Sequence, residues 1–253
     1  MFHHALCARI DAYTAWRYGC PTALLRTPGV HALPALPPPD ANLLVSTAAR
    51  QPDVISVTRM SADVTIVRAH PTPDACVERL LEAAKSQGYF AGDMVDAVPG
   101  CSLTEQEVEP YLYLDAARFR PYHAGEVRRL TAGDAPAMDA LHARIPAGMR
   151  WFVELDHPIV FGCFVLGELA AVASHFLFEG QGIAAGGVLT DPAYRGQGFG
   201  KAVVSAAMAW ALTDGYICEW STWEANVASY RLAKALGFED YLREEEYRVA
   251  KLD

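Results

Sequence analysis

The segment with the clearest chemical pattern is DPAYRGQGFGK, which runs from Asp191 to Lys201. Glycine occupies the alternate positions 196, 198 and 200, between an arginine and a lysine. Because glycine lacks a Cβ atom, it lets the backbone turn sharply and approach a ligand closely. The apolar sequence that follows predicts a helix over Lys201–Thr213. A glycine-rich turn between a strand and a helix presents unpaired N–H groups to an anion, most often a phosphate.

Two common phosphate-binding motifs do not fit this segment. A P-loop would need glycine where Arg195 stands and a hydroxyl residue where Ala202 stands. A dinucleotide fingerprint needs G-x-G-x-x-G, but the third glycine position falls on Lys201 or Val203, depending on the starting glycine. The remaining structural alternative is a tight turn in which the glycines serve packing alone.

The pattern that fits is R-G-x-G-x-G over Arg195–Gly200, after the strand-like Val188-Leu189-Thr190. It resembles the pyrophosphate-binding motif of the GNAT superfamily, the acyl-CoA-dependent N-acetyltransferases. The block from Asn226 through Ser229, Leu232 and Ala233 to Gly237-Phe238 is similar to the other characteristic block of this family. The order of predicted strands and helices from about Glu126 onward also follows the family, so the resemblance covers about half of the chain.

The resemblance implies acetyl-CoA as the cofactor. In this family the strand before the glycines diverges from its neighbour and pairs with the amides of pantetheine, while the loop amides bind the pyrophosphate. The start of the later helix lies near the thiol end, although Asn226 is also a good N-cap residue. The candidate cofactor-binding residues are therefore Val188, Leu189, Thr190, Arg195, Gly196, Gln197, Gly198, Phe199, Gly200, Lys201, Asn226 and Ser229.

Two catalytic residues common in the family are missing. The strand Ile183–Thr190 contains no carboxylate to serve as the general base. Ala233 stands where many members of the family have a tyrosine that acts as the general acid. We expect Glu224, or else His175, to replace the base, and Tyr230 to replace the acid. Each also has a simpler interpretation. Glu224 could be an exposed loop carboxylate, His175 a histidine on a sheet face, and Tyr230 an aromatic residue that packs in the structure.

Three further residues are open to two interpretations. Cys163 could carry an acetyl group, but a buried apolar thiol is the simpler expectation. Trp220 and Trp223 could line the acceptor pocket or pack in the core.

The chain is predicted to contain a smaller N-terminal α+β module (residues 1–120) and a C-terminal GNAT-like domain (residues 121–253) with a twisted mixed sheet flanked by helices. The first module could be a degenerate copy of the same fold, a lid or a dimer platform. Its predicted elements are helices at 6–18 and 74–87 and strands at 43–46, 55–58 and 64–67. The second has predicted strands at 126–130, 159–166, 169–178, 183–190, 216–222 and 241–249, and helices after Thr131, at 201–213 and at 227–236.

Composition limits the class of protein. With 253 residues, of which 52% are hydrophobic, the chain can bury a large core, and its net charge of −9 argues against nucleic-acid binding. The six cysteines show no metal-ligand spacing, so we expect reduced thiols and no metal. No signal peptide is recognisable at the N-terminus and the apolar run 202–212 is too short to cross a bilayer, which predicts a cytoplasmic protein without membrane contact.

The sequence therefore predicts an acetyl-CoA-dependent N-acetyltransferase that acts on the primary amine of a small molecule by direct attack on the thioester. One alternative is a catalytically silent acetyl-CoA-binding sensor or scaffold, and another is an enzyme that acetylates a protein N-terminus or lysine. The sequence is compatible with a homo-oligomer.

Overall fold

The computed structural model describes residues 4–34, 52–61, 63–70, 73–88, 90, 98–150 and 153–252. It contains two compact units that interleave along the chain. The first unit consists of Met1–Tyr111, Ser221–Val227 and Asp240–Asp253, and the second of Leu112–Trp220 and Ala228–Glu239. The sequence predicted domains 1–120 and 121–253, and this division stays a prediction.

The first unit combines two helices with a sheet. The strand order is β1-β3-β2-β10-β4, in which β1 and β3 are parallel and β2 is antiparallel to both β3 and β10. Strands β4 and β10 each continue into the second unit. The elements are α1 (His4–Tyr18), β1 (Gly29–Pro34), β2 (Val54–Arg59), β3 (Val64–Ala69), α2 (Ala75–Gln87), β4 (Cys101–Leu114) and β10 (Glu239–Lys251).

The predicted helices and two of the predicted strands of this unit are confirmed. Helix α2 begins after Asp74, whose side chain accepts hydrogen bonds from the N–H groups of Cys76 and Val77, and ends at Gly88 with a positive φ of 76°. The predicted strand Leu43–Ser46 lies outside the described residues, and β1 and β4 were not predicted.

The second unit has the mixed, helix-flanked sheet that the sequence predicts. Its strand order is β9-β8-β7-β6-β5, antiparallel from β5 to β8 and parallel between β8 and β9. The elements are β5 (Glu126–Arg129), α3 (Ala135–Arg144), β6 (Ile159–Val165), β7 (Glu168–Phe178), β8 (Ile183–Thr190), α4 (Phe199–Thr213), β9 (Ile217–Ser221) and α5 (Val227–Leu236). The bounds of β8 and α5 are as predicted, and the other strands and α4 differ from their predicted bounds by one or two residues at one or both ends.

Two hydrophobic clusters hold the helices on the sheet of the second unit. Buried residues of α4, such as Val204 and Met208, pack with Ala171 and Ala173 of β7 and with Ala233 of α5. Residues of α3 belong to a separate cluster that contains Val172 and Leu189. Neighbouring residues of a strand point to opposite faces, so α3 and α4 cover opposite faces of the sheet.

The expectation of six reduced cysteines is wrong for one pair. Cys76 and Cys101 form a disulfide with a Cα–Cα distance of 5.9 Å, which is an ordinary separation for this bond. It joins the first turn of α2 to the start of β4, and the sequence separation of 25 residues gave no sign of this proximity. Cys7, Cys20, Cys163 and Cys218 are free thiols. Among the described residues, no helix is long and apolar enough to span a membrane.

Candidate active site

The loop that follows β8 is fixed at its start by Asp191. This carboxylate is buried and accepts hydrogen bonds from the N–H of Ala193 at 2.9 Å and from Arg144, which also donates to the carbonyl of Leu169. Burial alone would raise the pKa of Asp191, but these hydrogen bonds and the charge of Arg144 outweigh burial and lower it. The aspartate therefore stays charged and holds the loop on the sheet.

Two of the three loop glycines lie where a Cβ atom would overlap a neighbouring side chain. Gly198 has a φ of 87°, and a Cβ atom there would overlap the hydroxyl of Tyr122. A Cβ atom on Gly200 would lie 2.6 Å from Oγ1 of Thr190. Gly196 also has a positive φ, of 75°, but open space around it. The backbone of the loop is thus held in a conformation that glycine alone adopts easily.

The N-terminus of α4 is well suited to bind an anion. The first hydrogen bond of the helix runs from Ala202 N to Gly198 O, so the N–H groups of Phe199, Gly200 and Lys201 precede it. Gly198 supplies no side-chain cap, and no acidic residue lies in the first turn. These donors and the helix dipole favour a negatively charged ligand.

Three longer side chains border this helix end. Lys201 places its ammonium group 3.5 Å from the centroid of the Tyr122 ring, and the exposed Arg195 donates from Nε to the carbonyl of Thr190 at 3.4 Å. Gln197 is exposed and donates to Ala193 O at 3.4 Å. The two cations add positive charge beside the helix N-terminus.

Strand β8 diverges from β9 after only two paired positions. It pairs with β7 along its whole length, but with β9 only at Ile183↔Ile217 and Ala184↔Cys218. Over residues 185–190, the edge of β8 that faces β9 makes no further strand pairing in the described part of the chain. Such an edge offers N–H and C=O groups to an extended ligand that contains amides. Val188, Leu189 and Thr190 lie on this edge, where the resemblance predicts the pantetheine arm.

The predicted residues around α5 are divided between the two units. Ser229 and Tyr230 lie in the second unit with the glycine loop, and Ser229 accepts a hydrogen bond from Nε1 of Trp220 at 3.1 Å. Asn226 and Trp223 lie in the first unit, where Asn226 N donates to Trp223 O. Asn226 directly precedes α5, as an N-cap residue would.

The two predicted bases lie in different surroundings. Glu224 belongs to the first unit, is exposed and forms an ion pair of 2.9 Å with Arg243. His175 of β7 lies in the second unit and is fully buried, and burial lowers its pKa to about 3. Within the described residues neither of its ring nitrogens has a hydrogen-bond partner. A histidine with so low a pKa is a weak proton acceptor at neutral pH.

The other side chains considered from the sequence are mostly buried. Cys163 is buried, its pKa is raised by burial, and its thiol donates to Ala124 O at 3.5 Å, which suits a packing role. Trp220 is 5% exposed and packs against the Phe238 ring, whereas Trp223 is 53% exposed.

The sequence interpretation missed Glu219 of β9. It is 6% exposed and accepts a hydrogen bond of 2.5 Å from the hydroxyl of Tyr113. The available signal was a carboxylate in the middle of a short strand that is otherwise apolar at Ile217, Cys218 and Trp220.

A diverging strand edge that leads into a glycine loop at a helix N-terminus suits an extended, phosphorylated ligand. Residues 125–238 match the model of the acetyltransferase (GNAT) family. The C-terminal half of the chain therefore contains a GNAT acetyltransferase domain, which confirms the resemblance found in the sequence.

Solved structures of acetyltransferases are similar to parts of this chain. A GNAT-family acetyltransferase from Colwellia psychrerythraea is 17% identical, with 73% of this chain and 76% of that chain covered and a TM-score of 0.51. An aminoglycoside N-acetyltransferase in complex with CoA is 20% identical, with coverage of 46% and 92% and a TM-score of 0.36. The ribosomal-protein-S18-alanine N-acetyltransferase of Escherichia coli is 17% identical, with coverage of 51% and 94% and a TM-score of 0.37. The likeness to the Colwellia psychrerythraea protein shows the fold alone and identifies no acceptor. No curated protein matches the chain.

Proposed function

We propose that the protein is an acetyl-CoA-dependent N-acetyltransferase that acetylates a primary amine of a small molecule. The observation that carries this proposal is the divergence of β8 from β9, directly before a glycine loop at the N-terminus of α4. This arrangement has separate places for the two parts of coenzyme A, since amides suit a strand edge and phosphates suit a helix N-terminus.

In this proposal the N–H groups from Gly196 to Lys201 bind the pyrophosphate, with Arg195 beside it. Val188, Leu189 and Thr190 pair with the pantetheine arm, and Ser229 lies toward its thiol end. Backbone N–H groups of β8 can also stabilise negative charge on the thioester oxygen during attack. Tyr230 is the proposed acid for the departing thiolate.

Direct attack by the amine is favoured over a covalent acetyl-enzyme. The cysteine considered as an acetyl carrier, Cys163, is buried and its pKa is raised, so little of it is thiolate at neutral pH. The amine nitrogen then forms the new bond to the acetyl carbon while the carbon–sulfur bond breaks.

A second candidate function is a catalytically silent acetyl-CoA-binding module. One observation favours it, because no residue of β8 carries the carboxylate that many members of the family use as a base. A third candidate, an enzyme that acts on a protein N-terminus or lysine, differs only in the acceptor.

The test measures thiol release from acetyl-CoA by the full-length protein in the presence of a panel of small amines and a panel of peptides. The proposal expects thiol release that depends on a small amine, with a mass increase of one acetyl group in the product. Binding of acetyl-CoA without thiol release on any acceptor would favour the silent module, and turnover on peptides alone would overturn the small-molecule assignment.

A further inference from the structure

We propose that Glu219 is the general base that deprotonates the acceptor amine, and that Tyr113 positions it. This inference rests on the proposed N-acetyltransferase function and assigns a residue to the removal of a proton from the acceptor amine. Neither residue stood among the candidates from the sequence, and both lie in the second unit with the glycine loop.

Glu219 lies on β9 at the point where this strand separates from β8. The last residue of β9 that pairs with β8 is Cys218, opposite Ala184. Glu219 is the next residue, so it is the first on β9 beyond the point where the two strands separate. Strand β8 runs from this point to the glycine loop. A ligand held at the loop by its phosphates, with its arm along β8, therefore has its far end beside Glu219.

Glu219 lies on the face of the sheet opposite to α4. Its neighbours Cys218 and Trp220 belong to the core cluster that contains the buried residues of α4. Because side chains alternate along a strand, Glu219 points to the opposite face, where Leu189 of β8 packs in the cluster of α3. The carboxylate is thus on the side away from α4.

The β8 residues on that face are small. Ile183 is paired with Ile217, so Ala185 and Gly187 share a face with Glu219. Opposite them on β7 are Phe176 and Ser174. Ala185 and Gly187 place little side-chain volume between Phe176 and the carboxylate, while the N–H of Glu154 and Nδ1 of His157 contact the hydroxyl of Ser174 on the same face. An aromatic ring and a carboxylate on one face are both favourable neighbours for an ammonium group.

Tyr113 holds Glu219 through a hydrogen bond. The tyrosine hydroxyl donates to Oε2 at 2.5 Å, which orients the carboxylate and stabilises its charged form. With 6% of its surface exposed, Glu219 is kept largely away from bulk water. A positioned carboxylate of this kind can accept a proton from a group bound beside it.

In the proposed step, the acceptor enters as an ammonium ion, and one proton moves from its nitrogen to the Glu219 carboxylate. The nitrogen lone pair then attacks the carbonyl carbon of acetyl-CoA, the C–N bond forms and the C–S bond breaks. A second proton leaves the nitrogen and ends on the sulfur of CoA, so the products are the N-acetylated amine and free CoA. Glu219 returns its proton to solvent.

The experiment compares wild-type protein with Glu219→Gln on the best amine of the panel. We expect kcat/KM at neutral pH to fall by roughly 10² to 10⁴, the usual contribution of general base catalysis, with unchanged affinity for CoA. The defect should shrink as the pH rises, because the amine then loses its proton without help. The matched control is Glu168→Gln, an exposed carboxylate on the same sheet, with activity near that of wild type.

Tyr113→Phe gives an independent readout, which remains if Glu219→Gln fails to fold. Loss of the hydroxyl removes a hydrogen bond to the charged carboxylate, so the pKa of the base should rise. The acidic limb of the kcat/KM profile should therefore move to higher pH, which a purely structural role would not produce.

Two results would overturn the assignment of Glu219. One is an active, folded Glu219→Gln variant with the kcat/KM and pH profile of wild type. The other is an acidic limb of the kcat/KM profile that lies at the same pH in Tyr113→Phe as in wild type. If wild-type protein binds CoA but acetylates no amine, the proposed function itself fails, and the assignment fails with it.

Discussion

The two units of this protein use their polar groups in opposite ways. In the first unit, charged side chains are buried against one another, whereas in the second the candidate cofactor site is built mainly from backbone groups. Glu244 on β10 is 4% exposed and lies between Arg17 of α1 and Arg68 of β3, which are also buried. The glycine loop of the second unit is exposed and offers N–H groups at the start of α4.

The contacts of Glu244 explain how these charges are tolerated. Its carboxylate lies 3.1 Å from Arg68 and 3.7 Å from Arg17, and it accepts a hydrogen bond of 2.5 Å from Tyr18. Burial alone would raise the pKa of Glu244, but the two arginines outweigh burial and lower it. In the first unit, charged side chains therefore pair with one another inside the protein, whereas the candidate ligand site of the second unit depends on backbone conformation. Variants in each unit can test this difference.

The largest expected effect is that of Glu244→Gln. Removal of this charge leaves two buried arginines without their anion, and breaking a buried ion pair from one side costs about 3–5 kcal/mol. Chemical denaturation should show this loss of stability in the first unit. The matched control is Glu82→Gln, since Glu82 forms an exposed pair with Lys85 and should change stability by less than about 0.5 kcal/mol. Equal effects of the two variants would contradict the account.

The same carboxylate makes stability depend on pH. A group with a lowered pKa in the folded state contributes stability above its ordinary pKa, and this contribution is lost as the pH falls toward the folded value. Wild-type stability should therefore fall in acid, below the ordinary glutamate pKa of 4.5. Glu244→Gln should show a shallower decline, measured by denaturation at a series of pH values.

The next effect is that of removing the disulfide with the double variant Cys76→Ser and Cys101→Ser. A bridge that closes a loop of 25 residues stabilises a protein by about 3–4 kcal/mol in the chain-entropy description. Denaturation of the variant should show a loss of this order, with CoA affinity unchanged. Cys7→Ser, at a free cysteine of α1, is the control. A variant as stable as wild type would show that the bridge contributes nothing.

In the second unit, Gly198→Ala should reduce CoA affinity by roughly 10- to 100-fold. Alanine resists the positive φ of this position by about 1–2 kcal/mol, and its Cβ would meet Tyr122, so the loop amides must move. Isothermal titration with CoA measures the effect. Gly180→Ala is the control, because a Cβ atom there has open space. If Gly198→Ala bound CoA as tightly as wild type, the glycine loop would not be the binding site of the cofactor.

The smallest effect is expected for Arg195→Gln. This arginine is exposed, so its attraction to a pyrophosphate is screened by salt. We expect a few-fold weaker affinity for CoA at low ionic strength and a smaller difference at high salt, while Arg118→Gln should leave affinity unchanged. An effect independent of salt would contradict an electrostatic role for Arg195.

The sequence predicted the glycine loop and its flanking elements well because their signals are local. Strand β8 is an apolar run that ends at Asp191-Pro192, and α5 shows helical periodicity up to Gly237. In contrast, β4 was missed because acidic residues and Pro110 interrupt its alternation. The disulfide and the pairing of Tyr113 with Glu219 join residues 25 and 106 positions apart, and no local pattern encodes such contacts.

The most direct test of the central claim is a calorimetric titration of the full-length protein with CoA, repeated for Gly198→Ala and Gly180→Ala. The account predicts saturable binding of one CoA per chain, retained by Gly180→Ala and weakened by Gly198→Ala. Absence of binding to wild-type protein, or equal binding to all three proteins, would contradict the claim that the backbone at the start of α4 holds the diphosphate of the cofactor.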